Sequence, residues 1–166
     1  MYRIASIFLT LALTAGIVSA GKLRFVIDYP RQAGGKQVEG RVLLLLAKDD
    51  AKEPRFQITY HANTGLVYGV DAVGPPPKKG VVLDGSVFGY PIQSLNDIPV
   101  GEYWVQGLLH KYETFHLKTG HTVKLPMDQE EGQRWNRSPG NLYSEPRKMF
   151  LDPSKERTVK ITLDQV

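Results

Sequence analysis

Cysteine is absent from all 166 residues, so the chain can form no disulfide, has no thiolate nucleophile and cannot build a blue-copper site of the usual kind. Charge of one sign is not concentrated either. The formal net charge is +4 at pH 7, but basic residues are scattered among acidic ones, and a nucleic-acid partner, which needs a clustered phosphate-facing surface, is not expected. Helical periodicity is nowhere sustained. Catalytic signatures are missing as well: no G-x-S-x-G strains a serine outward on a strand-to-helix turn, and no HExxH sets two histidines on one helical face. Ser86, Ser94, Ser138, Ser144 and Ser154 have no convincing base beside them in the sequence. Covalent hydrolysis by this chain alone is therefore not expected.

Long hydrophobic runs are also wanting. The longest, Ile4 to Val18, falls short of the ~20 apolar residues that span a bilayer. Arg3 precedes it and the small residues Ser19 and Ala20 close it, which is the pattern of a cleaved Sec signal peptide. Residues 1–20 are expected to be removed, leaving one domain over 21–166, secreted or periplasmic and free of the membrane. The mature chain has no cysteine to accept a lipid. Its stability must come from a hydrophobic core or from partners, and it is long enough to bury roughly two thirds of its unfolded surface.

What the chain does have is a succession of short β-branched and aromatic runs bounded by Gly, Pro, Asn or Asp. Strands are expected near Leu23 to Asp28, Gly40 to Ala47, Phe56 to His61, Leu66 to Val70, Gly80 to Leu83, Glu102 to Tyr112, His121 to Leu125, Lys148 to Leu151 and Thr158 to Leu163. The last alternates cleanly, with Val159, Ile161 and Leu163 on one face. Between Tyr103 and His110 both faces are largely apolar, so that strand is expected to be central, and Leu43 to Leu46 reads as a buried strand too short for a helix. Turn signals about every ten residues predict an all-β, immunoglobulin-like sandwich of roughly 7–9 short strands. The triple proline Pro75-Pro76-Pro77 marks a stiff connector that cannot join a sheet interior.

Three of the four histidines and both tryptophans fall between Gly101 and Pro146. His110, His116 and His121, with Asp128, Glu130 and Glu131 behind them, could be imagined as a metal site for a hydrolase, but their spacing matches no established zinc pattern, and no metal or other cofactor is expected. A hairpin turn at Lys118-Thr119-Gly120 would bring His116 and His121 close together. The carboxylates invite a glycosidase reading, yet neighbouring surface acids are common. Recognition has the better physical case. Pro126 to Pro146 is longer than loops usually are without a functional reason. It puts Arg134, Trp135, Asn136, Arg137, Asn141 and Tyr143 together, flat rings beside planar donors suited to stacking on sugars or on a partner. The structural alternative is that Trp135 and Tyr143 cover an open end of the sandwich while Arg134 and Arg137 pair with Glu130 and Glu131.

IPVGEYWVQGLLHKYETFH, GHTVKLPMDQ, EGQRWNRSPGNLYSEP and the closing MFLDP, with Gly40-Arg41-Val42, Glu53-Pro54-Arg55 and Gly89-Tyr90-Pro91 before them, resemble the N-terminal region of a family of large secreted bacterial proteins whose later part looks like an esterase of α/β-hydrolase fold. The resemblance covers nearly all of the mature chain. It implies a non-catalytic β-sandwich that accompanies a hydrolase, with a hydrolase domain or a glycan as partner. The alternatives are a fragment of a secreted esterase or a metal-dependent hydrolase using His110, His116 and His121. The serine, histidine and acid of the esterase part have no counterparts here.

Overall fold

The structure, a computed structural model, describes residues 23–30, 38–74, 77–127 and 134–166. The expected signal peptide, Pro75, Pro76 and the acidic residues Asp128, Glu130 and Glu131 lie outside the described residues. The described chain is nearly all β, as expected, and forms a two-sheet sandwich. Ten strands run in the order β1 (Leu23–Asp28), β2 (Glu39–Ala47), β3 (Leu66–Ala72), β4 (Val81–Leu83), β5 (Gly89–Tyr90), β6 (Gly101–His116), β7 (Thr122–Leu125), β8 (Leu142–Tyr143), β9 (Arg147–Leu151) and β10 (Arg157–Thr162). No helix among the described residues is long and apolar enough to cross a membrane.

The smaller sheet has the order β10-β1-β4, with β1 and β10 parallel from Leu23↔Arg157 to Asp28↔Thr162. The larger sheet is built around β6, which is as central as its two apolar faces predict. One edge of β6 pairs with β2 from Tyr112↔Glu39 to Trp104↔Ala47. Its other edge is shared in series by β9, β8 and β7. Ser144 continues β8, its N donating to Gly107 O while Gly107 N donates to the Ser144 hydroxyl, after which Val105 already faces Arg147. Glu145 and Pro146 thus oppose Gln106 alone, a β-bulge, and it is a place where a proline without an N–H is tolerated.

The main core fills the space between the sheets. Phe25, Ile27, Leu83, Val159, Ile161 and Leu163 pack from the smaller sheet against Val42, Leu44, Leu46, Tyr68, Tyr103, Val105 and Leu109 of the larger one. At its centre Gly107 lets the sheets approach, because a Cβ there would meet Leu163 Cδ2 at 2.8 Å. The run of four leucines alternates across β2: Leu44 and Leu46 point into this core while Leu43 and Leu45 point the other way. With Leu108, these two form a second apolar cluster on the outer face, covered by Ile58, Val67, Trp135 and Tyr143. A sheet buried on both faces needs such a cover.

The expected strand over Phe56 to His61 is corrected. Pro54–Phe56 is a 3-10 turn with Pro54 in its first turn, where a missing N–H costs nothing, and the segment beyond it folds onto the outer face. β5 and β8 are additions, each two residues long, too short for any periodic signal.

Candidate functional site

The cover of the outer face begins at Arg134 with two consecutive turns. Arg137 N donates to Arg134 O at 2.8 Å, and Asn141 N donates to Ser138 O at 3.2 Å. The second turn holds Pro139 and then Gly140 with φ of 79°, the order that a type II turn demands. Polar side chains brace the cover and tie it to β6 and to the 3-10 turn. Buried Asn141 accepts from Lys111 N at 3.1 Å through Oδ1 and donates to Trp135 O at 2.8 Å. Asn136 donates to Arg55 O at 2.9 Å, and Ser138 Oγ donates to Arg134 O at 3.3 Å.

Beneath lies Gln106, which is 0% exposed. Its Oε1 accepts from Arg55 N at 3.0 Å, and its Nε2 donates to Glu53 Oε2 at 2.7 Å and Ser144 O at 3.0 Å. Every polar atom of this buried amide is used, as a buried amide requires. Arg55 is an ion-pair partner of Glu53: Nη2 donates to Oε1 at 3.4 Å, while Nε, 2.9 Å from Oε2, makes an electrostatic contact without a hydrogen bond. Its guanidinium stacks over the Tyr143 ring at 3.6 Å and reaches Phe56 at 4.6 Å. Arg137 approaches the same Phe56 ring at 5.0 Å.

The result is a two-lobed groove. One lobe, about 290 Å3, lies among Arg55, Phe56, Arg137, Pro139 and Tyr143. The other, about 530 Å3, lies among Lys52, Phe56, Arg134, Trp135, Asn136 and Arg137. Phe56 and Arg137 belong to both.

Arg134, Trp135, Asn136, Arg137, Asn141 and Tyr143 are therefore brought together, but their parts differ. Arg134 and Arg137 are exposed, whereas Trp135 and Tyr143 are half-buried and cover the outer sheet face rather than an open end of the sandwich, because Leu43, Leu45 and Leu108 leave an apolar patch there. Asn136 and Asn141 spend their amides on backbone groups. The pairing of Arg134 and Arg137 with Glu130 and Glu131 falls on residues outside those described. Lys52, Arg55, Phe56 and Gln106 were not singled out from the sequence. Their nearest signal was Glu53-Pro54-Arg55, noted only as part of a motif.

The histidines lie elsewhere. His110 is buried, with Nδ1 3.3 Å from Asn141 Oδ1, so Nδ1 carries the proton. Burial holds its imidazole below the ordinary range, and the bond to Asn141 opposes this only in part. His116 Nδ1 lies 3.0 Å from the Thr122 hydroxyl. His116 and His121 do flank a hairpin turn, closed by Leu117 N donating to His121 O at 2.8 Å, but both are exposed and neither lines the groove. A hydrolytic metal centre on His110, His116 and His121 is corrected: His110 and His116 stand six residues apart on one extended strand, roughly 20 Å, and no group of three potential metal ligands forms among the described residues.

Among the described residues, each serine hydroxyl is committed to a local acceptor. Ser86 donates to Asp84, Ser154 to Asp152, Ser94 to Gly85 O, Ser138 to Arg134 O and Ser144 to Glu145 O. None of them meets a histidine among the described residues, which is the contact that an activated serine needs. No protein-family model, curated protein or solved structure matches the chain.

Proposed function

We propose that the mature chain is a secreted or periplasmic recognition module without catalysis of its own, which binds a glycan through the outer-face groove and works alongside an esterase-type hydrolase part. One observation carries this reading: exposed Arg134 and Arg137 and the half-buried ring of Trp135 project from a cover that Asn141 ties to β6, Asn136 ties to the 3-10 turn and Ser138 braces internally. A site whose supporting side chains are locked loses little conformational entropy on binding. The serine contacts and the separation of His110 from His116 favour binding over hydrolysis. The hydrolase association rests on the sequence resemblance.

The test pairs two assays on the purified chain. Simple acyl esters should not be hydrolysed above background, and a polysaccharide panel should yield a ligand whose affinity drops on Arg137→Ala while the fold stays intact. Hydrolysis that survives repurification and disappears on a single serine substitution would overturn the proposal.

A further inference from the structure

In the larger lobe of the groove the charged side chains among the described residues are all cations. That lobe is lined by Lys52, Arg134 and Arg137 with Phe56, Trp135 and Asn136, and among the described residues no carboxylate side chain lines it. Among the described residues no carboxylate lies within ion-pair distance of those three cations. Arg55 below them is already neutralised by Glu53. Cations facing one concave volume reinforce each other's potential, and the low-dielectric wall behind them focuses it.

The groups are also of the right shape. The Arg137 guanidinium lies over the Phe56 ring, 5.0 Å from its centroid, and its planar fork of N–H donors matches a carboxylate. Trp135 adds a flat apolar surface of the kind that the C–H face of a sugar covers. Two lobes meeting at Phe56 and Arg137 suit a linear chain of repeating units. A protein partner would instead need a broad face of about 800 Å2 with an apolar centre. The exposed aromatics Tyr60, Phe88, Tyr90 and Phe150 all lie outside the groove.

We infer that the groove takes an acidic polysaccharide whose sugar rings bear carboxylates, with Arg137 and Arg134 receiving the carboxylates and Trp135 lying against a ring. The inference rests on the recognition groove proposed above and names its ligand class.

Calorimetric titration of the whole chain with a short oligogalacturonate, and with the same oligomer methyl-esterified, separates the two proposals. The acid form should bind, and its affinity should fall by about tenfold or more on esterification or on Arg137→Ala, as loss of a charge-assisted contact entails. Added salt should weaken it. Glu130→Gln with Glu131→Gln, which removes acids preceding Arg134, should leave binding unchanged or tighter. Equal affinity for acid and ester would overturn the acidic ligand but keep a glycan groove. Binding of no polysaccharide at all would sink both. Equal affinity for polyglutamate of matched charge would reduce the groove to a general polyanion surface, and weaker binding after the glutamate substitutions would also count against the inference.

Discussion

The guanidinium carbon of Arg55 stands 3.6 Å from the centroid of the Tyr143 ring. This stack joins the 3-10 turn after β2 to the strand that closes the cover, and Glu53 neutralises the same arginine. Arg55 thus serves to hold the groove floor in shape, a cation–π contact being worth more when it is shielded from water. The charges left to meet a ligand are the exposed ones above it.

Arg137→Ala and Trp135→Ala should separate binding from folding. Arg137 is exposed, so its loss should change stability by less than ~0.5 kcal/mol. Trp135 packs against the Leu43, Leu45 and Leu108 cluster, and its truncation should cost about 1–3 kcal/mol, below the range for a fully buried ring. Urea unfolding of both variants beside the wild type checks the order. A Trp135→Ala protein as stable as the parent would show that the ring is not part of the cover.

Gln106→Ala should be the most damaging polar substitution in the outer face. It strands the Arg55 amide and the buried Ser144 carbonyl, while Glu53 keeps its ion pair with Arg55, an expected loss of about 2–4 kcal/mol. Thermal unfolding at neutral pH measures it, and a shift no larger than that of an exposed surface substitution would refute the network.

His110 should make the protein acid-sensitive. Its imidazole is held below the ordinary 6.5 by burial, so the folded state binds a proton less readily than the unfolded chain. The stabilisation is complete above that unfolded value and is lost as pH falls through the folded one. Glu39, held down by the Lys124 hydrogen bond, and Asp152, held down by Ser154, stay charged in this window. Urea midpoints between about pH 7 and pH 5 should fall for the wild type and stay flatter for His110→Gln. Parallel slopes would contradict the assignment.

Dialysis against a chelator should leave the melting temperature unchanged, since His116 and His121 reach only a hairpin turn and His110 is turned to Asn141. A fall restored by one specific divalent ion would reveal a bound metal through its mass-action stabilisation.

Local chemistry explains what could be read from the sequence. β10 was legible because one of its faces is wet: Val159 and Ile161 are buried while Thr158 and Lys160 are exposed. The leucine run of β2 showed burial on both sides. It could not show what covers Leu43 and Leu45, because Ile58 and Trp135 come from distant parts of the chain. The segment from Phe56 misleads for a local reason. Its β-branched residues suggest a strand, but Phe56 N and Gln57 N donate back to Glu53 O and Pro54 O, and Thr59 N donates to the Thr64 hydroxyl. In the candidate site, the side chains of the Arg134-to-Tyr143 loop were visible as a cluster. Its division into exposed cations and hydrogen-bonded amides was not, since that depends on Arg55 and Lys111, distant in the chain.

The parallel pairing of β1 with β10 also has a mechanical consequence. Because Leu23 lies beside Arg157 and Asp28 beside Thr162, a tether at Leu23 and another at Thr162 leave the smaller sheet in opposite directions along the strand axis. Tension between them slides the two strands past each other, so all the rungs of that ladder bear the load at once and cannot open one after another. A sandwich held in this way resists stretching as a lap joint does, by shear.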